Sequence, residues 1–311
     1  MSIATEIPSL IDPAGVEASP HPRPMELGSA AQREEAVSAS GGVPSGDFAG
    51  RSNPYIDYES IDLLLSLQHP RSKAHDEMLF IIMGQVKELL FKALHHELHN
   101  VRALLRRDDV DNAVILLGRA KEIAAYIGSS WNVLSTITTH GFNEFRDHLG
   151  SASGQLSFMY RHVEFILGNK NEALARAHRN VPHVWPAMEA AFRSPSLWDE
   201  AIALIDRAGF KVASGCLDRD WAEPYTPHPS VEAAWLAVYE RSQPVDLFYR
   251  LGEGLLALSD QLSQYRYRHF TAVERIIGMK PGTGGSSGVG WLRAAVDHRF
   301  FPELWTIRTR M

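Results

Sequence analysis

Residues 251–278 read LGEGLLALSDQLSQYRYRHFTAVERIIG, and this stretch decides the fold class. Apolar and aromatic side chains recur in it at steps that alternate between four and three residues, which places them on one face of a single long helix. Such a face is stable only when it packs against other elements. The face consists of Leu251, Leu255, Leu258, Leu262, Tyr265, His269, Ala272 and Ile276.

The rest of the chain supplies further helices for this face to pack against. Long runs with near-helical spacing occur at 78–104 and 110–134, and shorter segments fit at 157–168, 196–208 and 230–241. No stretch shows sustained alternation of apolar and polar residues, so we predict an all-α helical bundle with long core helices. In the first run the apolar positions are Met78, Ile82, Val86, Leu89, Ala93, Val101 and Leu104, and the prolines expected to break the chain are Pro182, Pro186, Pro224, Pro227 and Pro229.

The composition argues against several classes of function. The chain of 311 residues has a formal net charge of -6, whereas a protein that binds a nucleic-acid backbone needs a basic face. It lacks an apolar run of about 18 residues, so we predict no membrane span. The single cysteine, Cys216, cannot form an internal disulfide, and the N-terminus does not have the pattern of a secretory signal. We therefore expect a cytoplasmic protein.

The first 50 residues differ in composition from the remainder. They contain six of the 17 prolines and six of the 23 glycines, but one aromatic residue, Phe48. Such a segment buries too little apolar surface to offset its conformational entropy. We predict a disordered tail at 1–50, order that begins near Tyr55, and one functional domain at 51–311.

His269 is the first candidate for chemistry, because it occupies a position in the long apolar face. A histidine there is ordinarily a core residue whose ring nitrogens find hydrogen-bond partners. No further ligand stands three or four residues away on that face, so a closed zinc site is not favoured. A macrocycle that supplies four nitrogens would suit one histidine beneath its iron.

Three other features have both an ordinary and a functional interpretation. The loop Gly282–Gly288 is either a flexible linker or a loop that folds over a small ligand with Thr283 and backbone N–H groups as donors. Arg146 either pairs with a neighbouring acid or captures a carboxylate with its planar guanidinium. Cys216 either ligates an iron as thiolate or, as is more common, is an inert small apolar residue.

Three blocks of sequence carry a more specific pattern, in the same order along the chain. Together they resemble the tryptophan 2,3-dioxygenase family, which belongs to the haem-dependent aromatic oxygenases, over about residues 53–311. The blocks are HDEMLFII at 75–82 with Gln85 and Glu88; FRDHLG at 145–150 with Ser153-Gly154, Tyr160-Arg161 and EFILGNK at 164–170; and Arg268-His269, ERIIG at 274–278, Lys280 and the glycine loop.

The resemblance implies a role for several residues. His269 would be the proximal ligand of haem b, and Ser153 would lie near the haem edge. Arg146 would clamp the carboxylate of the substrate, Thr283 would hold its ammonium and carboxylate groups, and Phe80 would pack against its indole. Tyr55 and Tyr58 match a Tyr-x-x-Tyr element that reaches into a neighbouring subunit's active site in this family, which implies a homotetramer.

Two departures from the family pattern alter the expected substrate pocket. Gly84 stands where the family has a distal histidine that accepts a hydrogen bond from the indole N–H. Phe142 stands where the family has a tyrosine whose hydroxyl points at the substrate carboxylate. Phenylalanine retains the aromatic ring but lacks the hydroxyl that would donate a hydrogen bond. Gly84, Phe80 and Ser153 are thereby the residues expected to control the reaction. The space opened at Gly84 would admit a substituted tryptophan.

The expected function is therefore haem-dependent oxidation of the indole C2–C3 bond of L-tryptophan or a substituted tryptophan by O2. Insertion of both oxygen atoms would give N-formylkynurenine. Insertion of one would give a 2-oxindole and would require an external reductant. The alternative from a different class is a haem-binding sensor, or an inactive helical protein, that binds tryptophan-like ligands.

Overall fold

The computed structural model describes residues 21–25, 27–44 and 53–311. No strand occurs among them, which confirms the predicted all-α fold. The helices are α1 (Ala30–Ser40), α2 (Pro54–Glu59), α3 (Ile61–Leu65), α4 (His75–Arg106), α5 (Val110–Leu134), α6 (Thr139–Phe145), α7 (Phe158–Leu167), α8 (Glu172–Ala175), α9 (Trp185–Arg193), α10 (Leu197–Arg207), α11 (Ser214–Leu217), α12 (Pro229–Arg241), α13 (Leu247–Ile277), α14 (Val289–Val296) and α15 (Pro302–Thr306), with 3-10 turns at Arg146–Leu149, Gly154–Leu156, Arg176–His178 and Ile307–Thr309.

The chain divides into two units, Met1–Pro70 and Arg71–Met311. In the first unit, α1 starts at a capping box in which Ser29 and Gln32 satisfy each other's backbone N–H groups. Arg23 contacts Asp62 at 3.0 Å. Residues 30–40 of the predicted tail are thus helical through local capping, although this helix buries no residue. The division into a tail at 1–50 and one domain at 51–311 stays a prediction. Residues 1–20, 26 and 45–50 of that tail lie outside the described residues.

Three long helices form the core of the second unit. Helix α5 packs against both α4 and α13. Its buried face includes Ala113, Ala120 and Ala124, whose small side chains let the neighbouring helices approach closely. The apolar face predicted for α13 is also confirmed, since Leu251, Leu255, Leu258 and Leu262 are buried.

The helix α4 itself is confirmed, and Val101 of its predicted apolar face is buried, but the face is wrong for the first half of the helix. Met78, Ile82 and Leu89 are all exposed. The buried face instead carries residues such as Lys87 and Phe91. The sequence has two apolar stripes on this helix, and periodicity alone does not tell which of them meets α5.

The shorter predicted helices are confirmed within two residues at each end, as α7, α10 and α12. Two prolines do not break the chain as expected. Pro186 and Pro229 lie in the first turns of α9 and α12. A backbone N–H in the first turn has no acceptor within the helix, so a proline there removes no helical hydrogen bond. Helix α6 was not predicted. Its Gly141 packs so closely on Asp76, at the start of α4, that there is no room for a Cβ.

Among the described residues, no helix combines the length and the apolar character that a membrane crossing would need.

Truncation of Leu94 to alanine tests the packing of the core. Leu94 is fully buried on α4, and its loss should lower the free energy of unfolding by about 2–5 kcal/mol because it leaves a cavity. The matched control is Leu89→Ala on the same helix, where the side chain is 49% exposed and the loss should stay below about 0.5 kcal/mol. Urea unfolding measures both, and equal losses would contradict the assigned face.

Candidate active site

A cavity of about 400 Å³ opens in the second unit at the ends of the long helices. Its size falls within the range of about 300–1,000 Å³ that is usual for small-molecule sites, and its walls are mostly apolar. The lining residues come from α4, α5, α6, α13, α14 and three connecting segments: Phe80, Gly84, Lys87, Glu88, Phe91, Trp131, Leu134, Ile137, Phe142, Arg146, Leu149, Ala152, Ser153, Gly154, Gln155, Ser157, Tyr265, His269, Val273, Ile276, Ile277, Gly282, Thr283, Ser286, Gly288, Trp291 and Leu292.

His269 presents its ring to this cavity from α13. The ring stacks on the indole of Trp131, with centroids 4.3 Å apart and planes inclined by 12°. Burial, with a smaller contribution from the charge of Lys87, lowers the pKa of His269 to about 3, so the imidazole is neutral and keeps a lone pair. No described residue forms a hydrogen bond with the ring, which leaves that lone pair for a ligand or a metal.

No group of three potential metal ligands occurs among the residues that the structure describes. A metal at His269 would therefore take most of its ligands from another source. A porphyrin, which supplies four nitrogens, meets that requirement.

Aromatic rings form one wall of the cavity. The ring of Phe80 lies 6.0 Å from that of Phe142 and 5.3 Å from that of Phe145, which is fully buried. Gly84 lies one turn after Phe80, and a Cβ built on it would meet nothing within 4 Å. The wall thus combines flat apolar surfaces with open space beside Gly84.

The glycine loop is folded over the cavity and fastened to the segment that follows α6. Arg146 Nη2 donates to the carbonyl of Pro281 at 2.5 Å, and Thr283 Oγ1 donates to the carbonyl of Ala152 at 2.6 Å. A third bond joins Gln155 Nε2 to the carbonyl of Gly284 at 2.9 Å. These contacts favour the interpretation as a ligand-covering loop over that of a linker.

Two glycines permit this close approach. A Cβ on Gly284 would lie 2.7 Å from the Cβ of Ser153, which places Ser153 directly beneath the loop. Gly288 has a φ of +65°, and a Cβ there would lie 2.5 Å from the carbonyl oxygen of Lys280. The structure thus brings Ser153, Arg146 and Thr283 to one cavity with His269.

Tyr55, Tyr58 and Cys216 do not line this cavity. The two tyrosines lie on α2 in the first unit, where both are exposed. Cys216 is buried in the hydrophobic core of the second unit, in agreement with an inert apolar role.

A smaller, more polar cavity of about 260 Å³ shares Tyr265 and His269 with the first. Arg266 there contacts Glu164 at 2.9 Å and donates to the hydroxyl of Tyr160 at 3.0 Å. Arg161 also pairs with Glu164, but its Nε atom has no hydrogen-bond partner among the described residues. An unsatisfied guanidinium N–H is a donor for a carboxylate.

Three polar side chains of the main cavity were missed from the sequence. Lys87 is buried, and its Nζ lies 3.3 Å from the ring centroid of Trp131. Trp131 Nε1 and Glu88 Oε2 are buried without a hydrogen-bond partner in the described chain. Burial raises the pKa of Glu88. Positions 84, 87, 88 and 91 share a helix face. The charged residue three positions after Gly84 could therefore have been predicted from the sequence to line the cavity.

Comparison with known proteins agrees with this geometry. The sequence model of the family described as "Tryptophan 2,3-dioxygenase" matches residues 38–311. The chain belongs to the tryptophan 2,3-dioxygenase family. The resemblance of the three sequence blocks is thereby confirmed.

Curated relatives cover most of the chain. It is 45% identical to tryptophan 2,3-dioxygenase 1 of Ralstonia nicotianae over 263 residues, which are 85% of this chain and 89% of the relative. The enzyme of Ralstonia pickettii is 44% identical over 85% of the chain and 94% of its own length. That of Cupriavidus necator is 45% identical, with 85% and 89% covered.

Substitution of Gly284 by alanine tests the fastening of the loop. The added Cβ would clash with Ser153, so the loop should detach and its amides at 282–288 should exchange with deuterium at least about tenfold faster, since opening would cost less. Gly154→Ala is the matched control, because a Cβ there meets nothing within 4 Å. Hydrogen-exchange mass spectrometry measures both, and unchanged exchange in Gly284→Ala would contradict the packing described.

Proposed function

We propose that this protein is a haem-dependent oxygenase that uses O2 to oxidise the indole C2–C3 bond of L-tryptophan or a substituted tryptophan. One observation supports this above the others. A neutral histidine without a hydrogen-bond partner, His269, and a guanidinium, Arg146, face the same apolar cavity. A helical scaffold without turnover needs neither group.

The residues present fit haem b. His269 would hold the iron, and the apolar walls would surround the macrocycle. The adjoining polar cavity offers cationic side chains, including the unsatisfied Nε of Arg161, to the carboxylates of the porphyrin. When bound, the haem supplies the redox centre at which O2 becomes reactive towards the indole.

Arg146 and the glycine loop would orient the amino-acid end of the substrate. The guanidinium has five N–H donors, of which Pro281 takes one, so a carboxylate can still bind. Thr283 would add its hydroxyl, and Phe80 and Phe142 would flank the indole. Ser153 would lie at the haem edge beneath the loop.

Gly84 changes what the cavity can do with the indole N–H. Without an imidazole, that N–H stays unpaired at a cost of about 1–3 kcal/mol or binds a water in the open space. The loss weakens binding without abolishing it, because the charged groups remain. The same space would accept a substituent on the indole.

Two products are compatible with this arrangement. Retention of both oxygen atoms gives N-formylkynurenine. Retention of one gives a 2-oxindole, while the second leaves as water with two electrons from an external reductant. We propose the shared first half of this chemistry, oxidation at C2–C3, and leave the number of inserted atoms to the experiment below.

We also propose that the protein is a cytoplasmic homotetramer in which Tyr55 and Tyr58 reach a neighbouring subunit's site. Both side chains are exposed, 63% and 76%, and tyrosine is enriched at protein–protein interfaces, which supports this proposal. The exposed apolar stripe on α4 supports an interface as well. The single cysteine forms no disulfide, which supports a cytoplasmic location.

The product experiment uses purified ferrous protein, labelled O2 and L-tryptophan, with and without added reductant. Mass spectrometry of an oxidised indole product with one or two labelled oxygen atoms supports an oxygenase and identifies which kind. Ligand binding without O2 consumption across a panel of substituted tryptophans would replace the oxygenase with the sensor.

Replacement of His269 by alanine tests the iron ligand. The variant should lose the Soret absorption of the purified protein and should not regain it with hemin, because no other described side chain in the cavity replaces the imidazole. His140→Ala is the control, since this histidine is 90% exposed and should leave the spectrum unchanged. A normal haem spectrum in His269→Ala would remove the assignment.

Replacement of Arg146 by leucine tests the carboxylate clamp. The Kd for L-tryptophan should rise about 10- to 100-fold, as is typical for loss of a charge-assisted hydrogen bond. The Kd for indole, which lacks a carboxylate, should rise much less, because indole loses only the effect of the Arg146–Pro281 contact on the loop. Arg275→Leu removes an exposed arginine outside the cavity and should change neither. Optical titration of the haem-loaded protein measures these constants, and equal weakening of both ligands would contradict the clamp.

A further inference from the structure

The ammonium of Lys87 is the least expected charge in the structure. Lys87 lines the main cavity, is 8% exposed, and points from α4 towards α5. Among the described residues no carboxylate pairs with it and no group forms a hydrogen bond with it. A buried charge without such a partner is costly, so its retention calls for a specific interaction.

The described interaction is with the face of an indole. Lys87 Nζ lies 3.3 Å from the ring centroid of Trp131, a short cation–π contact. Trp131 in turn stacks on His269 at 4.3 Å and 12°. Lys87, Trp131 and His269 therefore form a continuous series of contacts from α4 through α5 to α13, which we call the Lys-Trp-His stack.

The charge of Lys87 reaches the electrostatic environment of His269. One indole, that of Trp131, links the ammonium to the His269 ring, through contacts of 3.3 Å and 4.3 Å between Lys87 Nζ, the Trp131 ring and the His269 ring. A fixed positive charge at that position disfavours any further positive charge at His269. In a buried, weakly screened site this effect extends beyond direct contact.

We propose that Lys87 is a positioning residue that acts through Trp131 on His269 and favours the ferrous over the ferric state of the haem. The inference rests on the proposed function, since it needs haem at His269. Reduction adds one electron from an external one-electron donor and lowers the charge of the site by one. A fixed cation nearby stabilises the product of that step. The stack also restricts rotation of the imidazole.

O2 binds to ferrous haem, so the charge of Lys87 would raise the fraction of the protein that can bind O2. The protein would then need an external reductant less often between turnovers. The competing interpretation is that Lys87 only fills space beside Gly84 with its four-carbon stem. A side chain of the same shape without charge separates the two.

The test is a spectroelectrochemical titration of haem-loaded wild type, Lys87→Met and Lys87→Arg at pH 6. Burial lowers the pKa of Lys87 to about 7, so the ammonium form predominates at that pH. At a fixed potential, Lys87→Met should lower the ferrous-to-ferric ratio on the order of tenfold, a shift of 59 mV for a one-electron couple. Lys87→Arg keeps the charge and should stay within about twofold of wild type.

Lys92→Met is the matched control, because it removes the same charge from an exposed position on the same helix and should change nothing. Lys87→Gln provides a second neutral variant should Lys87→Met fail to fold. An unchanged midpoint in a neutral, haem-loaded variant overturns the proposal, as does an equal shift in Lys92→Met. A wild-type protein that takes up no hemin overturns the proposed function and this inference together, so the two failures differ.

Discussion

Close packing of α5 between α4 and α13 is the constraint on which the site depends. Alanines at buried positions of α5 let both neighbours approach, and this fixes the separation of the helix that carries Gly84 and Lys87 from the helix that carries His269. Trp131 extends from the last turns of α5 into the resulting cavity and touches both sides. The size of the cavity and the side chains that line it thus depend on how closely α4, α5 and α13 pack against one another.

The cavity rim is held by polar contacts rather than by apolar packing. Arg146 and Thr283 each donate to a backbone carbonyl across the opening, and the loop that carries Thr283 is rich in glycine. Such contacts are individually modest, so they hold the loop less firmly than apolar packing holds the core. A firmly packed core beneath a more weakly held loop suits a site that must admit a cofactor and a substrate and then exclude water.

Several polar atoms without hydrogen-bond partners lie where ligands are proposed to bind, and others, such as Trp235 Nε1 and Arg308 Nε, lie elsewhere in the described chain. Lys87, Trp131 Nε1, Glu88 Oε2 and Arg161 Nε lack hydrogen-bond partners in the two adjoining cavities. Buried polar groups are normally paired, and each unpaired group lowers stability until a partner arrives. The unpaired atoms in the two cavities are therefore groups that a bound ligand could pair with.

The sequence by itself determined the helical class, the three long helices, and the family, because periodicity and short motifs are local properties of the chain. The order of the short motifs along the chain also allowed His269, Arg146 and Thr283 to be identified from the family resemblance. It did not reveal which stripe of α4 is buried, since Met78, Ile82 and Leu89 are as apolar as the residues that face the core. Nor did it reveal that α1 is helical, because a capping box sustains that helix without burial.

Only the tertiary structure decided that the glycine loop covers a cavity and that Lys87, Trp131 and His269 touch. These contacts join residues far apart in sequence, and their geometry depends on the distance between helices rather than on any spacing within one. A lysine in an amphipathic helix is expected in water from sequence alone. Its burial against an indole follows from the packing of α5 between its neighbours, and that packing is a property of the whole fold.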